Sequence, residues 1–234
     1  MTRALTLLIA IGSLVLAKDA KPQPAPAPVT KTQRMDFPEN GTLRFTNSTG
    51  ELTVEAWDQA GMEITTTLSA KINEPAKDLD LVKVSVERKG DGVVVATEYP
   101  LTRVGKVAKH YGAPVGFYLE YRVKLPKSAK VIVDHNIGDL HFDGIEGDIH
   151  ATARQSNITL QLPEKAQYAI DAKCNVGSIV SDFAGKSKPR YWFTGQAFTE
   201  TAQAPHKLYL RNGFGDIILF KTPAPVSLLP AMNP

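Results

Sequence analysis

A glycine, a short polar residue and an aliphatic residue recur together along this chain, and their spacing restricts the fold more than any other feature. Gly41-Thr42-Leu43 precedes Gly50-Glu51-Leu52 by nine residues. Gly138-Asp139-Leu140, Gly147-Asp148-Ile149 and the degenerate Ser156-Asn157-Ile158 are again nine apart, and Gly177-Ser178-Ile179 and Gly215-Asp216-Ile217 follow singly. Such an interval holds one strand of about five residues and a tight turn, with glycine supplying the backbone freedom the turn demands. The units are repeats, each too small to bury its apolar face without a neighbour.

Within the units the third and fifth positions are mostly apolar: Leu43 and Phe45, Leu52 and Val54, Leu140 and Phe142, Ile149 and Ala151, Ile158 and Leu160. Neighbouring side chains alternate across a strand, so these face a core while the second and fourth positions face away. Longer runs keep the same two-residue period. Met62, Ile64, Thr66, Leu68, Ala70 and Ile72 alternate with polar residues, as do Phe117, Leu119, Tyr121, Val123 and Leu125 ahead of Pro126. Val82, Val84 and Val86, the turn Lys89-Gly90-Asp91-Gly92, then Val93 and Val95 read as a hairpin. No long amphipathic helix is predicted. The expected fold class is all-β, either a β-helix-like solenoid or stacked antiparallel β-sheets built from short glycine-punctuated strands.

The stretch from Asn136 to His150 holds Asp139, His141, Asp143, Glu146, Asp148 and His150, the mixture from which metal centres and acid/base catalysts are built. The alternation accounts for these residues as the outward positions of strands. Their proximity depends on stacking. If consecutive units are parallel neighbours, strands ~4.8 Å apart set Asp139 against Asp148, a pair that invites a cation. If two units make one coil, Asp139 stacks near Asn157 and His141 near Thr159, with the intervening unit on the opposite sheet. The cluster Asp139, His141, Asp143, Asp148 and His150 therefore stands as an alternative metal or acid/base site, with Asp139, Asp143 and Asp148 the candidates for glycan hydrolysis.

The ends of the chain read differently from its middle. Arg3, the apolar run Ala4 to Leu16 and the small-residue pattern Val15-Leu16-Ala17 read as a signal peptide over residues 1–17. The run is shorter than the ~20 residues that span a bilayer, so no transmembrane span is expected after cleavage. Residues 18–34, with PQPAPAP at their centre, read as a Pro/Ala-rich linker, 35–221 as a single all-β repeat domain and 222–234 as a Pro-rich tail. Export to the periplasm or the cell exterior is the expectation. The formal charge of +3 falls by one with the leader, and a nearly balanced chain without a nucleic-acid-binding motif argues against nucleic acid as a partner. The single cysteine, Cys174, excludes an internal disulfide and a multi-thiolate metal centre. In phase with Ile170 and Ala172, it is expected to be buried and unreactive.

No nucleophile elbow, P-loop, dinucleotide fingerprint or HExxH motif is present, so neither an enzyme nor a cofactor is expected. The run GELTVEAWDQAGMEITTT from Gly50, YRVKLP from Tyr121, the steps at Gly138 and Gly147 and LYLRNGFGDIILF from Leu208 resemble the bacterial putative-adhesin family, exported β-repeat domains catalogued as a domain of unknown function. The resemblance covers about Asn40 to Lys221. It implies a β-helix-like or stacked-sheet fold at the cell envelope and offers no catalytic residues.

Two segments depart from that spacing. Pro100 to Gly116 holds Arg103, Lys106, Lys109, His110 and Tyr111 with no acidic residue, and Ala184 to Pro205 sets Lys186, Lys188 and Arg190 before Tyr191, Trp192 and Phe193. Cations beside aromatic rings suit an anionic polymer, so these residues are the candidate contact surface for an anionic envelope polysaccharide or an envelope protein. The expected function is a non-enzymatic structural or binding module, adhesin-like, at the bacterial envelope. The alternatives are a carbohydrate-active enzyme using outward-facing Asp residues and a scaffold self-assembling through its strand edges. The sequence does not set the oligomeric state.

Overall fold

The computed structural model describes residues 27–70, 79, 82–98, 117–190, 194–200 and 203–223. The signal-peptide stretch, the loop with Arg103, Lys106, Lys109, His110 and Tyr111, the triplet Tyr191 to Phe193 and the tail from residue 224 lie outside the described residues. Within them the chain forms β1 (Val29–Met35), β2 (Thr42–Ser48), β3 (Glu51–Trp57), β4 (Met62–Ala70), β5 (Lys83–Lys89), β6 (Gly92–Glu98), β7 (Phe117–Pro126), β8 (Lys130–Ile137) and β9 (Leu140–Asp143). It continues through β10 (Ile149–Gln155), β11 (Ile158–Pro163), β12 (Tyr168–Val176), β13 (Ile179–Ser181), β14 (Lys186–Arg190), β15 (Gly195–Glu200), β16 (His206–Phe214) and β17 (Ile217–Thr222). Val29 to Arg34, assigned by composition to the linker, is a strand: it pairs antiparallel with β4, and Thr30 and Thr32 meet the hydroxyls of Thr67 and Thr65.

The strands make two stacked sheets. An eight-stranded sheet, here sheet A, runs β1-β4-β7-β3-β9-β11-β17-β13; a nine-stranded sheet, sheet B, runs β14-β15-β12-β16-β10-β8-β2-β6-β5. Their inner faces bury the aliphatic positions read from the repeats, with Leu43, Phe45, Leu52, Val54, Leu140, Phe142, Ile149, Ala151, Ile158 and Leu160 all shut off from solvent. Phe45 meets the Tyr121 ring edge-on at 5.3 Å, and the Tyr121 hydroxyl is hydrogen-bonded to Thr97, which satisfies the one polar atom that ring carries into the core.

Five coils form the centre, each a strand of sheet B, a tight turn and a strand of sheet A. In space their order is β2–β3, β8–β9, β10–β11, β16–β17, β12–β13, and every neighbouring pair between them is parallel. The chain order is broken at the end, since β16–β17 is inserted between two coils that precede it. The reason is visible in β12: β15 lies antiparallel along one of its edges, so β16 takes the other, beside β10. Antiparallel strands finish both edges of sheet B and the β1 edge of sheet A, whereas β13 ends sheet A parallel to β17. The expected all-β class and stacking of sheets hold, whereas the pairing is mixed, and the chain follows neither a sequential solenoid nor purely antiparallel sheets.

The turns explain the glycines. Gly138 has φ 118° and Gly215 φ 111°, and a Cβ on either would lie 2.1 Å from the carbonyl oxygen of the adjacent coil, Gly50 O and Ser156 O respectively. Both the conformation and the close approach exclude a side chain. This proximity lets the ladder continue through the turns: Leu140 N–H donates to Asn157 O at 2.9 Å, Ile158 N–H to Asp216 O at 2.9 Å and Ile217 N–H to Ser178 O at 3.0 Å.

Candidate functional site

The stacking settles what the Asp/His-rich stretch is. Two units make one coil: β9 lies in sheet A and β10 in sheet B, so His141 is in register with Thr53 and Thr159, whereas His150 lies across the sandwich between Ile132 and Tyr209. Asp139 Oδ1 accepts both the backbone N–H and the side-chain amide of Asn157, at 3.0 and 3.2 Å. Asn157 Oδ1 in turn accepts Asp216 N–H, and Asp216 Oδ1 accepts Ser178 N–H and its hydroxyl at 2.7 and 2.8 Å. The Ser178 backbone bond, with its hydroxyl, holds the Asp216 carboxyl below its ordinary range. Asp143 closes β9 in register with Glu55 and Gln161. Asp148, at the start of β10, accepts Lys207 N–H at 3.0 Å and faces the Lys130 ammonium at 3.6 Å. The second positions are thus rungs that tie coil to coil, and Asp139 and Asp143 stand on the opposite sheet from Asp148. Among the described residues no group of three His, Cys, Asp or Glu side chains is arranged to hold a metal.

A Ser-His pair does occur, sealed in the core. Ser48 Oγ lies 2.8 Å from His135 Nδ1, and His135 Nε2 is 3.0 Å from Gly138 O. A carbonyl only accepts, so the ring proton sits on Nε2 and Nδ1 accepts from Ser48. Ser48 and His135 are 0% and 2% exposed, which leaves no approach for a substrate. Next along the same inner rank stand Ala153, Asn212 and Cys174. Asn212 donates to Ser156 O at 2.6 Å and Cys174 Sγ lies 3.1 Å from Gly177 O, so these side chains cap the inside of the turns.

The outer faces of the two sheets differ in sign. From β2 to β14, sheet B turns Arg44, Lys130, Arg154, Lys173, Lys186, Lys188, Lys207 and Arg211 outward against Asp134, Asp148 and Asp171. Sheet A turns out Glu51, Glu55, Glu63, Glu120 and Asp143 against Arg34, Arg122 and Lys124. A nearly neutral chain is therefore bipolar, and the basic side is concentrated on one pleated surface.

Register draws one row across that surface: Arg44, Ile132, His150, Tyr209, Asp171, Thr199, Lys186. The row one step along runs Asp134, Thr152, Arg211, Lys173, Ala197, Lys188. At the centre the Arg211 guanidinium lies 3.8 Å over the Tyr209 ring, and His150 meets that ring edge-on at 4.4 Å. Arg211 is pinned by Asp171, 2.6 Å to Oδ2 and 2.8 Å to the carbonyl. Burial alone would raise the Asp171 carboxyl, but the bond to Arg211 and its charge, with Lys173, outweigh it and hold it below the usual range. Partial burial and Lys130, with Arg211 and Arg44, outweigh Asp148 and lower the pKa of His150. Beside Tyr209 is a hollow of about 530 Å³ bounded by Lys130, His150, Asp171, Thr199, Glu200 and Lys207.

Of the residues singled out in the sequence, Lys186 and Lys188 join this surface as exposed members of its edge strand, and Arg190 ends the same strand. His150 and Asp148 belong to it too, on the sheet opposite Asp139, His141 and Asp143. Arg44, Lys130, Tyr209 and Arg211 were not singled out. Each occupies an outward alternating position, which the two-residue period marks, but only register shows that three separate strands bring them together.

The fold and the face together define an all-β, two-sheet repeat sandwich with a basic, aromatic-centred outer surface. No family model matches the chain, and no curated protein matches it. Among solved structures it is similar to a putative cell adhesion protein from Clostridium sporogenes ATCC 15579, at 12% identity and a TM-score of 0.47, covering 84% of this chain and 100% of that one. It is also similar to putative adhesins from Bacteroides fragilis NCTC 9343 (11% identity, TM-score 0.25, covering 85% and 98%) and Parabacteroides merdae ATCC 43184 (9%, 0.24, covering 81% and 95%). The latter two carry the designation of the family that the sequence motifs resemble. Among the described residues no helix is long and apolar enough to cross a membrane.

Proposed function

We propose that this chain is an exported, non-enzymatic binding module that holds an anionic polysaccharide of the bacterial envelope against the outer face of sheet B. The observation that carries the reading is the segregation of charge: Arg44, Lys130, Lys173, Lys186, Lys188 and Lys207 share one face around an exposed tyrosine, while the acidic residues prevail on the other. A cationic sheet attracts a polyanion over a distance set by the Debye length and loses that attraction as salt rises. The export pattern at the amino terminus supports a setting in the periplasm or at the cell exterior, where such polymers occur. An adhesin-like role needs no chemistry at the face.

The test is retention on immobilised polygalacturonate. Wild type should be held at about 20 mM salt and released by about 300 mM. Replacing Arg44, Lys130 and Lys188 together by Ala should weaken retention roughly tenfold at the lower salt, since each is a separate charge lost from the face. The Arg103, Lys106 and Lys109 triple, proposed from the sequence as a second contact, is run beside it. Unchanged retention of the sheet B triple disposes of this surface.

A further inference from the structure

We propose that the hollow beside Tyr209 is a subsite for a single uronic-acid unit of the glycan, an inference that rests on the function proposed above and names its specificity. The hollow exists because one outward position of β12 carries almost no side chain. Ala169 lies in register with Lys207, while its neighbours Tyr168 and Ile170 point into the core, so a methyl group floors a space that longer residues wall. At about 530 Å³ the space is of the size that holds small ligands, and it suits a pyranose ring with its substituents.

The walls differ in chemistry. Tyr209 lines the hollow and Arg211 does not; the guanidinium is stacked on that ring and anchored by Asp171, so the platform is oriented before any ligand arrives. An oriented aromatic ring suits the C–H face of a sugar, and preorganisation lowers the ordering cost of binding. Glu200 and Thr199 offer acceptors for ring hydroxyls on one side. Lys207 and Lys130 stand on the other, with Asp148 already occupied by the Lys207 N–H and the Lys130 ammonium. A neutral sugar would leave the lysine side unused. A carboxylate on the ring uses both sides, which is why the uronic acids fit the hollow as a class.

Titration of the full chain with trigalacturonate, followed by calorimetry, tests this. Wild type should bind saturably. Ala169→Leu, which fills the hollow without touching the charges, and Tyr209→Ala should each weaken trimer binding at least roughly tenfold, and Tyr209→Phe should stay within about threefold of wild type. Retention of Ala169→Leu on polygalacturonate at low salt should change little, because the rest of the face is intact. If wild type is retained on the polymer but does not bind the trimer, or Ala169→Leu binds it as wild type does, the subsite is overturned and the basic face survives. If the neutral trigalactose binds as tightly as the uronate, the assignment to uronic acids is overturned. If the polymer is not retained either, the failure lies in the underlying reading of the face.

Discussion

His135 shows how one side chain couples this fold to pH. Burial pushes its pKa from 6.5 down to about 4, against the smaller opposing pull of the Gly138 carbonyl. Above the unfolded value the ring is neutral in both states and stability is unaffected. Below it the unfolded chain takes up a proton that the folded one refuses, so stability falls between pH 6.5 and about 4. Urea unfolding at about pH 8 and again at about pH 4.5 should differ by roughly 2–3 kcal/mol from this residue. His135→Gln should be less stable at the higher pH yet lose that share of the slope. Asp171 and Asp216 have lowered carboxyl pKa values, so their contributions are lost only at still lower pH, whereas His150, also lowered, adds a slope in this window that both proteins share. An equal slope in both proteins would show that another group titrates there.

At the scale of the element, the turn glycines divide into two kinds. Gly138 meets the Gly50 carbonyl, whereas nothing lies within 4 Å of a Cβ placed on Gly90, although φ is positive at both. Gly90→Ala in the β5–β6 hairpin should cost about 1 kcal/mol, the strain of a left-handed residue alone. Gly138→Ala should cost more than about 3 kcal/mol, since the neighbouring coil must move as well. Thermal or urea unfolding gives both, and equal losses would remove the close approach as the reason for the repeat's glycine. The hairpin, the alternating strands β4 and β7 and the buried aliphatics of the repeats were legible in the sequence because each is a property of neighbours along the chain. β1 was not, because Val29 to Arg34 follows a proline-rich stretch and becomes a strand only through its pairing with β4.

The whole molecule is built against stacking on its own edges. Its outermost strands carry Lys83, Arg88 and Lys89 on β5, Lys31 and Arg34 on β1, and Lys186, Lys188 and Pro189 on β14, while β13 is only three residues long. Charge, proline and shortness all discourage strand addition. Sedimentation should show one concentration-independent monomer at physiological salt, and Lys188→Val with Pro189→Val should introduce association. Growth in size of the wild type on concentration would revive the self-assembling scaffold.

By itself the sequence determined the all-β class, the inward and outward sides of each strand and the places of the turns, because alternation and glycine act over a few residues. The coil that holds Asp139 apart from Asp148 was one of two stackings it allowed. Beyond the β5–β6 hairpin, which strands become neighbours belonged to the tertiary structure alone. The insertion of β16–β17, the separation of His141 from His150 and the row from Arg44 to Lys186 all arise from hydrogen-bonded edges competing for partners far apart in the chain, and no local pattern carries that competition.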